Sequence, residues 1–156
     1  MRLSTFRTGL TLGVLLLLFA CSGGPSKEDL AFLQGYWEIQ KVEFPDGGVK
    51  EYPANSTIEY LEWDGGTGFR KKMQPTLKGT YLTSDDALPM KVVWRDQRLF
   101  LSFDGGEVPW EEEVLTLEQD ILVTRHANGL HYQYARYEPL LIPEQRAEER
   151  QPAVPE

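Results

Sequence analysis

The sequence has little cysteine and little positive charge. Its 156 residues include one cysteine, Cys21, so no disulfide can form within the chain and the fold must rely on its core. The sequence has 16 Lys and Arg residues and 24 Asp and Glu residues, which gives a net charge of −8. This balance opposes binding to nucleic acid or to anionic membrane surfaces.

Long hydrophobic runs are also lacking. The most apolar stretch, Leu10–Ala20, has eleven residues, and as a helix it would measure about 16 Å, roughly half of a hydrocarbon core of ~30 Å. It follows Arg2 and Arg7 and ends in a small residue. A positive flank, a short apolar run and a small residue predict a secretory signal over residues 1–20 and not a membrane span.

The end of this signal suggests lipid attachment. The segment Leu18-Phe19-Ala20-Cys21 resembles the bacterial lipobox, although Phe19 is bulkier than the usual residue there. The resemblance implies cleavage after Ala20, a diacylglyceryl group on the Cys21 thiol and an acylated amine, so that the expected partner is a membrane. Ser22 after the cysteine favours the outer membrane, with the periplasmic or surface face left open. The alternative is an ordinary signal peptide beside a coincidental cysteine.

The rest of the chain divides into three parts. Residues 21–29 are interpreted as a lipidated tether, 30–138 as one β domain, and 139–156 as a flexible tail with four prolines and a charged run. Loss of Arg2 and Arg7 with the signal leaves a net charge of −10.

Turn signals divide the domain into short strands. Asp-Gly-Gly occurs at 46–48, 64–66 and 104–106, and Asn128-Gly129 is a strong hairpin signal. The runs between them are rich in β-branched and aromatic residues and predict strands near 36–44, 57–63, 68–74, 77–83, 89–95, 98–103, 111–118, 120–126 and 130–138. A short helical lead-in is expected over Lys27–Gln34, with Ser26 as its cap. This order predicts an all-β antiparallel meander, as a sandwich or an up-and-down barrel of eight or nine strands, and closure is favoured because it removes the free edges.

Several short motifs resemble those of lipocalins. Gly35-Tyr36-Trp37 opens the first strand, Lys78-Gly79-Thr80-Tyr81 lies midway, and Tyr132-Gln133-Tyr134-Ala135-Arg136-Tyr137 ends the domain. Over residues 30–138 the chain is similar to the small lipocalin-like lipoproteins of Bacteroidetes-type bacteria. The resemblance implies a structural pair, with the Arg136 guanidinium over the Trp37 ring at the closed end of a barrel.

The last hairpin gives a predicted register. A two-residue turn at Asn128-Gly129 would pair His126 with His131 and Arg125 with Tyr132. The predicted interior face then consists of Ile121, Val123, Arg125, Leu130, Tyr132, Tyr134 and Arg136. The two histidines would form a solvated cross-strand pair on the other face, and no metal site is expected because a structural site needs about four ligands.

Catalytic patterns are weak. No Gly-x-Ser-x-Gly elbow or glycine-rich nucleotide loop is found, and Glu111-Glu112-Glu113 is interpreted as a solvated edge. We therefore expect a protein that is not an enzyme and has no cofactor.

A small apolar or amphipathic ligand inside the barrel is the preferred hypothesis. Its candidate lining residues are Lys71, Met90, Val92, Trp94, Leu101, Arg125, Tyr132 and Tyr134. The carboxylate of a fatty-acid-like ligand would lie near Arg125 or Lys71. The alternative is a barrel filled by its own side chains, in an envelope scaffold lipoprotein that binds another protein.

Overall fold

The computed structural model describes residues 23–138 except 54, 78, 84, 85, 106 and 107. The predicted signal, Cys21 and the tail from residue 139 lie outside this range. The elements are a 3₁₀ helix (Glu28–Phe32) and strands β1 (Gly35–Glu43), β2 (Val49–Glu51), β3 (Ile58–Trp63), β4 (Thr67–Pro75), β5 (Tyr81–Thr83), β6 (Leu88–Arg95), β7 (Arg98–Phe103), β8 (Trp110–Leu117), β9 (Ile121–His126) and β10 (His131–Arg136). No helix in the described range is both long and apolar enough to cross a bilayer.

The sheet closes on itself. The antiparallel order is β10-β9-β8-β7-β6-β4-β3-β1, and β10 pairs with β1. Eight strands therefore form a barrel, which confirms the all-β antiparallel barrel predicted from the sequence. The short strand β2 pairs with the end of β1, and β5 pairs with the end of β4.

Alternation of side chains sets the inner face. In β7, Leu99, Leu101 and Phe103 are buried while Arg98 is exposed, as expected for a strand with one face on the core. A β-bulge in β8 between Val114 and Thr116 shifts this alternation. The extra residue lets both Val114 and Leu117 reach the core.

The two ends of the barrel differ. The 3₁₀ helix and the turns β3–β4, β6–β7 and β8–β9 lie at one end, which we call the closed end. The β1–β2, β4–β5, β7–β8 and β9–β10 connections lie at the other, which we call the mouth. This arrangement follows from the antiparallel pairings.

The predicted register of the β9–β10 hairpin is wrong by one residue. Arg125 pairs with His131, and Thr124 pairs with Tyr132. The loop is longer than two residues because the His126 backbone N–H donates to Leu130 O at 2.9 Å and the Gly129 N–H donates to His126 O at 2.9 Å. Gly129 has φ +83°, and a Cβ there would lie 3.0 Å from Pro45, so glycine suits both constraints.

That one-residue shift exchanges the faces of β9. Leu122 and Thr124 are buried inside, whereas Ile121 is exposed. The predicted interior positions on β10, Tyr132 and Tyr134, do pack in the core.

The lead-in is shorter than predicted. Ser26 makes no cap to a helix N–H; its own backbone N–H and Oγ donate to Asp29 Oδ2 at 2.7 and 2.8 Å. Pro25 and Leu30 are buried, so the chain already packs on the barrel at residue 25.

Candidate functional site: the barrel interior

The closed end of the interior is apolar and is locked by Arg136. The Arg136 guanidinium Cζ lies 3.8 Å from the centroid of the Trp37 ring, which is the arrangement that the resemblance implies. The Trp37 indole N–H donates to Leu33 O at 3.0 Å. Trp37 and Leu33 are fully buried.

Arg136 also joins three backbone segments. Its Nε donates to Gln119 O at 2.9 Å, one terminal nitrogen donates to Gln34 O at 2.9 Å, and the other donates to Phe32 O at 2.5 Å. The side chain thus holds the end of the 3₁₀ helix and the β8–β9 turn together. Its role here is structural.

The half of the interior nearer the mouth holds an ionic cluster. Arg70 of β4 donates two hydrogen bonds to the Glu112 carboxylate of β8, at 2.9 and 2.8 Å. Arg70 Nε lies 3.0 Å from Glu59 Oε2 of β3, and His126 Nε2 of β9 lies 2.8 Å from Glu112 Oε1. Arg70 and Glu112 are buried, whereas the Glu59 and His126 side chains are 21% and 25% exposed to solvent.

The ion pairs of this cluster stabilise the charged forms of Glu112 and Arg70. Burial alone would raise the pKa of Glu112, but Arg70 and a hydrogen bond from His126 lower that pKa to about 2. Burial alone would lower the pKa of Arg70, but the carboxylates of Glu112 and Glu59 outweigh it and raise that pKa. The buried guanidinium therefore already has its counterions.

Aromatic rings line the same region. Phe103 stacks on Trp110 with ring centroids 4.3 Å apart, and Trp110 stacks on His126 at 5.0 Å. His126 lies 4.7 Å from the ring of Tyr132. The Arg70 guanidinium lies 4.3 Å from the Phe103 centroid.

Two polar groups of the lining have no protein partner. Thr124 Oγ1 and Trp63 Nε1 are buried without a hydrogen bond. An unsatisfied buried group of this kind costs about 1–3 kcal/mol. Arg70 Nε also lacks an aligned hydrogen bond, although Glu59 lies within ion-pair distance.

Six of the predicted lining residues lie in the interior. Met90, Leu101 and Tyr134 are buried in the core, and Val92, Trp94 and Tyr132 are partly buried against it.

The two predicted cations lie on the wrong face. Lys71 follows the inward Arg70 and pairs with Tyr60 across the sheet, so it belongs to the outer face. Arg125 bonds Glu113 outside the barrel because of the register shift. Sequence reasoning missed Arg70, Glu59 and Glu112, since hydrophobic alternation does not mark charged residues that face inward in pairs.

The histidines are not a cross-strand pair. His126 points into the cluster, whereas His131 lies opposite Arg125 on the adjacent strand and 4.0 Å from Glu43. Among the described residues, no group of three or more His, Cys, Asp or Glu side chains is placed to hold a metal ion.

Comparisons with known proteins give structural likeness alone. No known protein family matches the sequence, and no curated protein is significantly similar to it. A lipocalin-like protein from Bacteroides uniformis is 12% identical over 67% of this chain and 98% of its own, with a TM-score of 0.44. An uncharacterized protein from Bacteroides eggerthii is 12% identical over 67% of this chain and 99% of its own, with a TM-score of 0.45. The barrel assignment rests on the strand pairings of this chain.

Proposed function

We propose that this chain is a membrane-anchored, lipocalin-like lipoprotein whose barrel binds a small amphipathic ligand without catalysis. The observation that carries the proposal is the lining near the mouth, where aromatic rings surround an ionic cluster with two partly exposed members, Glu59 and His126. The unpartnered Thr124 hydroxyl supports it, because a bound polar group would satisfy it.

The ligand's polar group is uncharged or cationic. A fatty-acid carboxylate would need an unpaired cation, but Arg70 already bonds Glu112 and contacts Glu59. Lys72, opposite Glu59 on β4, is exposed to solvent, where its charge is screened. The apolar part of the ligand would lie against Val92 and Tyr132, which are only partly buried against the core.

Two measurements test this proposal. Native mass spectrometry of the full-length protein from its own host should detect a co-purified small molecule. Titrations followed by tryptophan fluorescence should then show tighter binding of dodecyltrimethylammonium than of dodecanoate, with dodecanol as the uncharged probe.

A charge-removal variant makes the test sharper. Glu59→Gln should weaken dodecyltrimethylammonium binding about tenfold, equivalent to about 1.4 kcal/mol, and leave dodecanol binding unchanged. The matched control is Glu62→Gln, on the same strand but exposed. Tighter binding of dodecanoate, or equal effects of the two variants, would contradict the assigned ligand class.

A second candidate function is supported by the rim of the mouth. Leu77 and Val108 are 97% and 72% exposed, and both lie in connections at that end. Exposed apolar side chains of this kind suit a contact with another envelope protein. In that case no small molecule would co-purify, and Leu77→Ser would release a partner protein captured by crosslinking in the host envelope.

A further inference from the structure

The N-terminal segment is fixed to the closed end of the barrel. Gly23, Gly24 and Pro25 lie beside residues 115–118 at the end of β8. Pro25 is buried, and Ser26 is held by two hydrogen bonds to Asp29. The path of the chain is therefore set from residue 25 onward.

The distance from this point to the lipid is short. Cys21 precedes Pro25 by four residues, and a fully extended chain spans at most about 3.6 Å per residue. An acylated Cys21 would thus hold the closed end within about 14 Å of its attachment point.

We propose that the closed end faces the bilayer and that the mouth opens away from it. This orientation rests on the lipid anchor of the proposed function. The surface toward the membrane is formed by the 3₁₀ helix and the β8–β9 turn, where the apolar side chains of Phe32 and Ile121 are 36% and 38% exposed.

The competing orientation would place the apolar rim of the mouth in the membrane. Gln119 and Ala127 flank β9 at opposite ends. Eight residues at about 3.3 Å each give roughly 25 Å along the strand, and the tilt of barrel strands reduces this to roughly 20 Å along the barrel axis. A tether of about 14 Å at the closed end cannot bring the mouth to the same bilayer while the barrel stands upright. The rim is therefore presented to ligands or partners on the far side.

The charge around the tether indicates which lipids suit this surface. Glu28, Asp29, Glu118 and Asp120 lie at the closed end, where the cations of the β6–β7 turn, Arg95 and Arg98, are already paired with Glu111 and Glu113. Carboxylates are repelled by anionic headgroups, so contact with a zwitterionic surface is favoured.

Energy transfer to the membrane surface tests the orientation. Acylated Cys21 cannot react with a maleimide, and the sequence has no other cysteine, so Gln119→Cys and Ala127→Cys each provide one labelling site. The full-length lipidated variants, labelled with a donor fluorophore, are reconstituted in phosphatidylcholine vesicles that contain a trace of rhodamine-headgroup phosphatidylethanolamine. Transfer should be at least about twofold more efficient from residue 119, because efficiency falls steeply with distance.

A longer tether is the matched control. Insertion of about 20 Gly and Ser residues after Ser22 gives a coil of roughly 25 Å and should bring the two efficiencies together. Equal or greater transfer from residue 127 in the unextended protein would overturn the orientation. Flotation of the same vesicles distinguishes failure of the lipid anchor from failure of the orientation. Protein that does not float with the vesicles refutes the lipid anchor and the orientation with it. Protein that floats but shows equal energy transfer from residues 119 and 127 refutes the orientation alone.

Discussion

Three consecutive glutamates show how far single residues could be predicted. The run 111–113 was interpreted as a solvated edge. Glu111 and Glu113 do pair with exposed arginines on the outer face, but only 11% of the Glu113 side chain is exposed and β8 is paired on both sides. Glu112 lies fully inside, bonded to an arginine 42 residues earlier. The alternation of side chains along a strand places Glu112 on the opposite face of the sheet from Glu111 and Glu113. It does not reveal the distant arginine that makes burial of the Glu112 carboxylate tolerable.

Loss of one partner from this buried pair should be costly. Glu112→Gln should lower the free energy of unfolding by about 3 kcal/mol, because it leaves the Arg70 charge buried with Glu59 alone. Glu111→Gln, at the preceding residue, which is 39% exposed on the outer face, should cost less than about 1 kcal/mol, as exposed ion pairs do. Urea denaturation of both variants checks this. Equal losses of unfolding free energy would mean that the buried Arg70–Glu112 pair contributes no more to stability than an exposed ion pair.

The same carboxylate should make the protein sensitive to acid. The pKa of Glu112 is lowered to about 2 from an ordinary value of 4.5, so the unfolded chain takes up this proton before the folded one does. The resulting stability, about 3 kcal/mol, is fully present above pH 5 and is lost as the pH falls toward 2. Unfolding free energies measured from pH 7 to pH 3 should therefore fall less steeply in Glu112→Gln than in the wild type.

At the scale of elements, local patterns were enough to predict most strands but not every pairing. Alternating β6 and β7 were predicted within a residue of their observed bounds, because apolar and polar side chains alternate there. Strand β2 was missed because all three of its residues are exposed and give no alternation. The β9–β10 register was missed because Asn128-Gly129 belongs to a longer loop, and turn residues alone do not give loop length.

The β6–β7 turn offers a stabilising substitution. Asp96 and Gln97 have φ +49° and +63°, in the left-handed region that favours glycine. Gln97→Gly should raise the free energy of unfolding by about 1 kcal/mol, whereas Gln97→Ala should give no gain because alanine keeps the steric cost. Thermal and urea unfolding of the pair decides between strain relief and a simple loss of the glutamine side chain.

The hydrogen bonds of Arg136 at the closed end depend on the planar guanidinium group. Arg136→Lys keeps the charge but cannot donate to Phe32, Gln34 and Gln119 carbonyls in the same geometry. We expect a loss of about 2 kcal/mol and faster amide hydrogen exchange in the 3₁₀ helix than in β7. Unchanged exchange in that helix would mean that other contacts hold it in place.

For the whole molecule, closure could be predicted but the content of the interior could not. Many short strands without intervening helices leave free edges unless the sheet closes, and the β10–β1 pairing confirms this. The interior combines an apolar closed end with a charged half near the mouth, and this division depends on inward charges from β3, β4 and β8 that are far apart in the chain. No local sequence pattern predicts that these distant charged residues meet inside the barrel.

Closure predicts that both ends unfold together. Every barrel strand is paired on both sides, and β9 links the closed end to the mouth directly. An environment-sensitive label at Gln119→Cys or Ala127→Cys should therefore report the same urea midpoint, equal to that from far-UV circular dichroism, as in a two-state transition. An earlier transition at residue 127 would show instead that the charged half near the mouth opens on its own, and the barrel would then be two cooperative units joined by continuous strands.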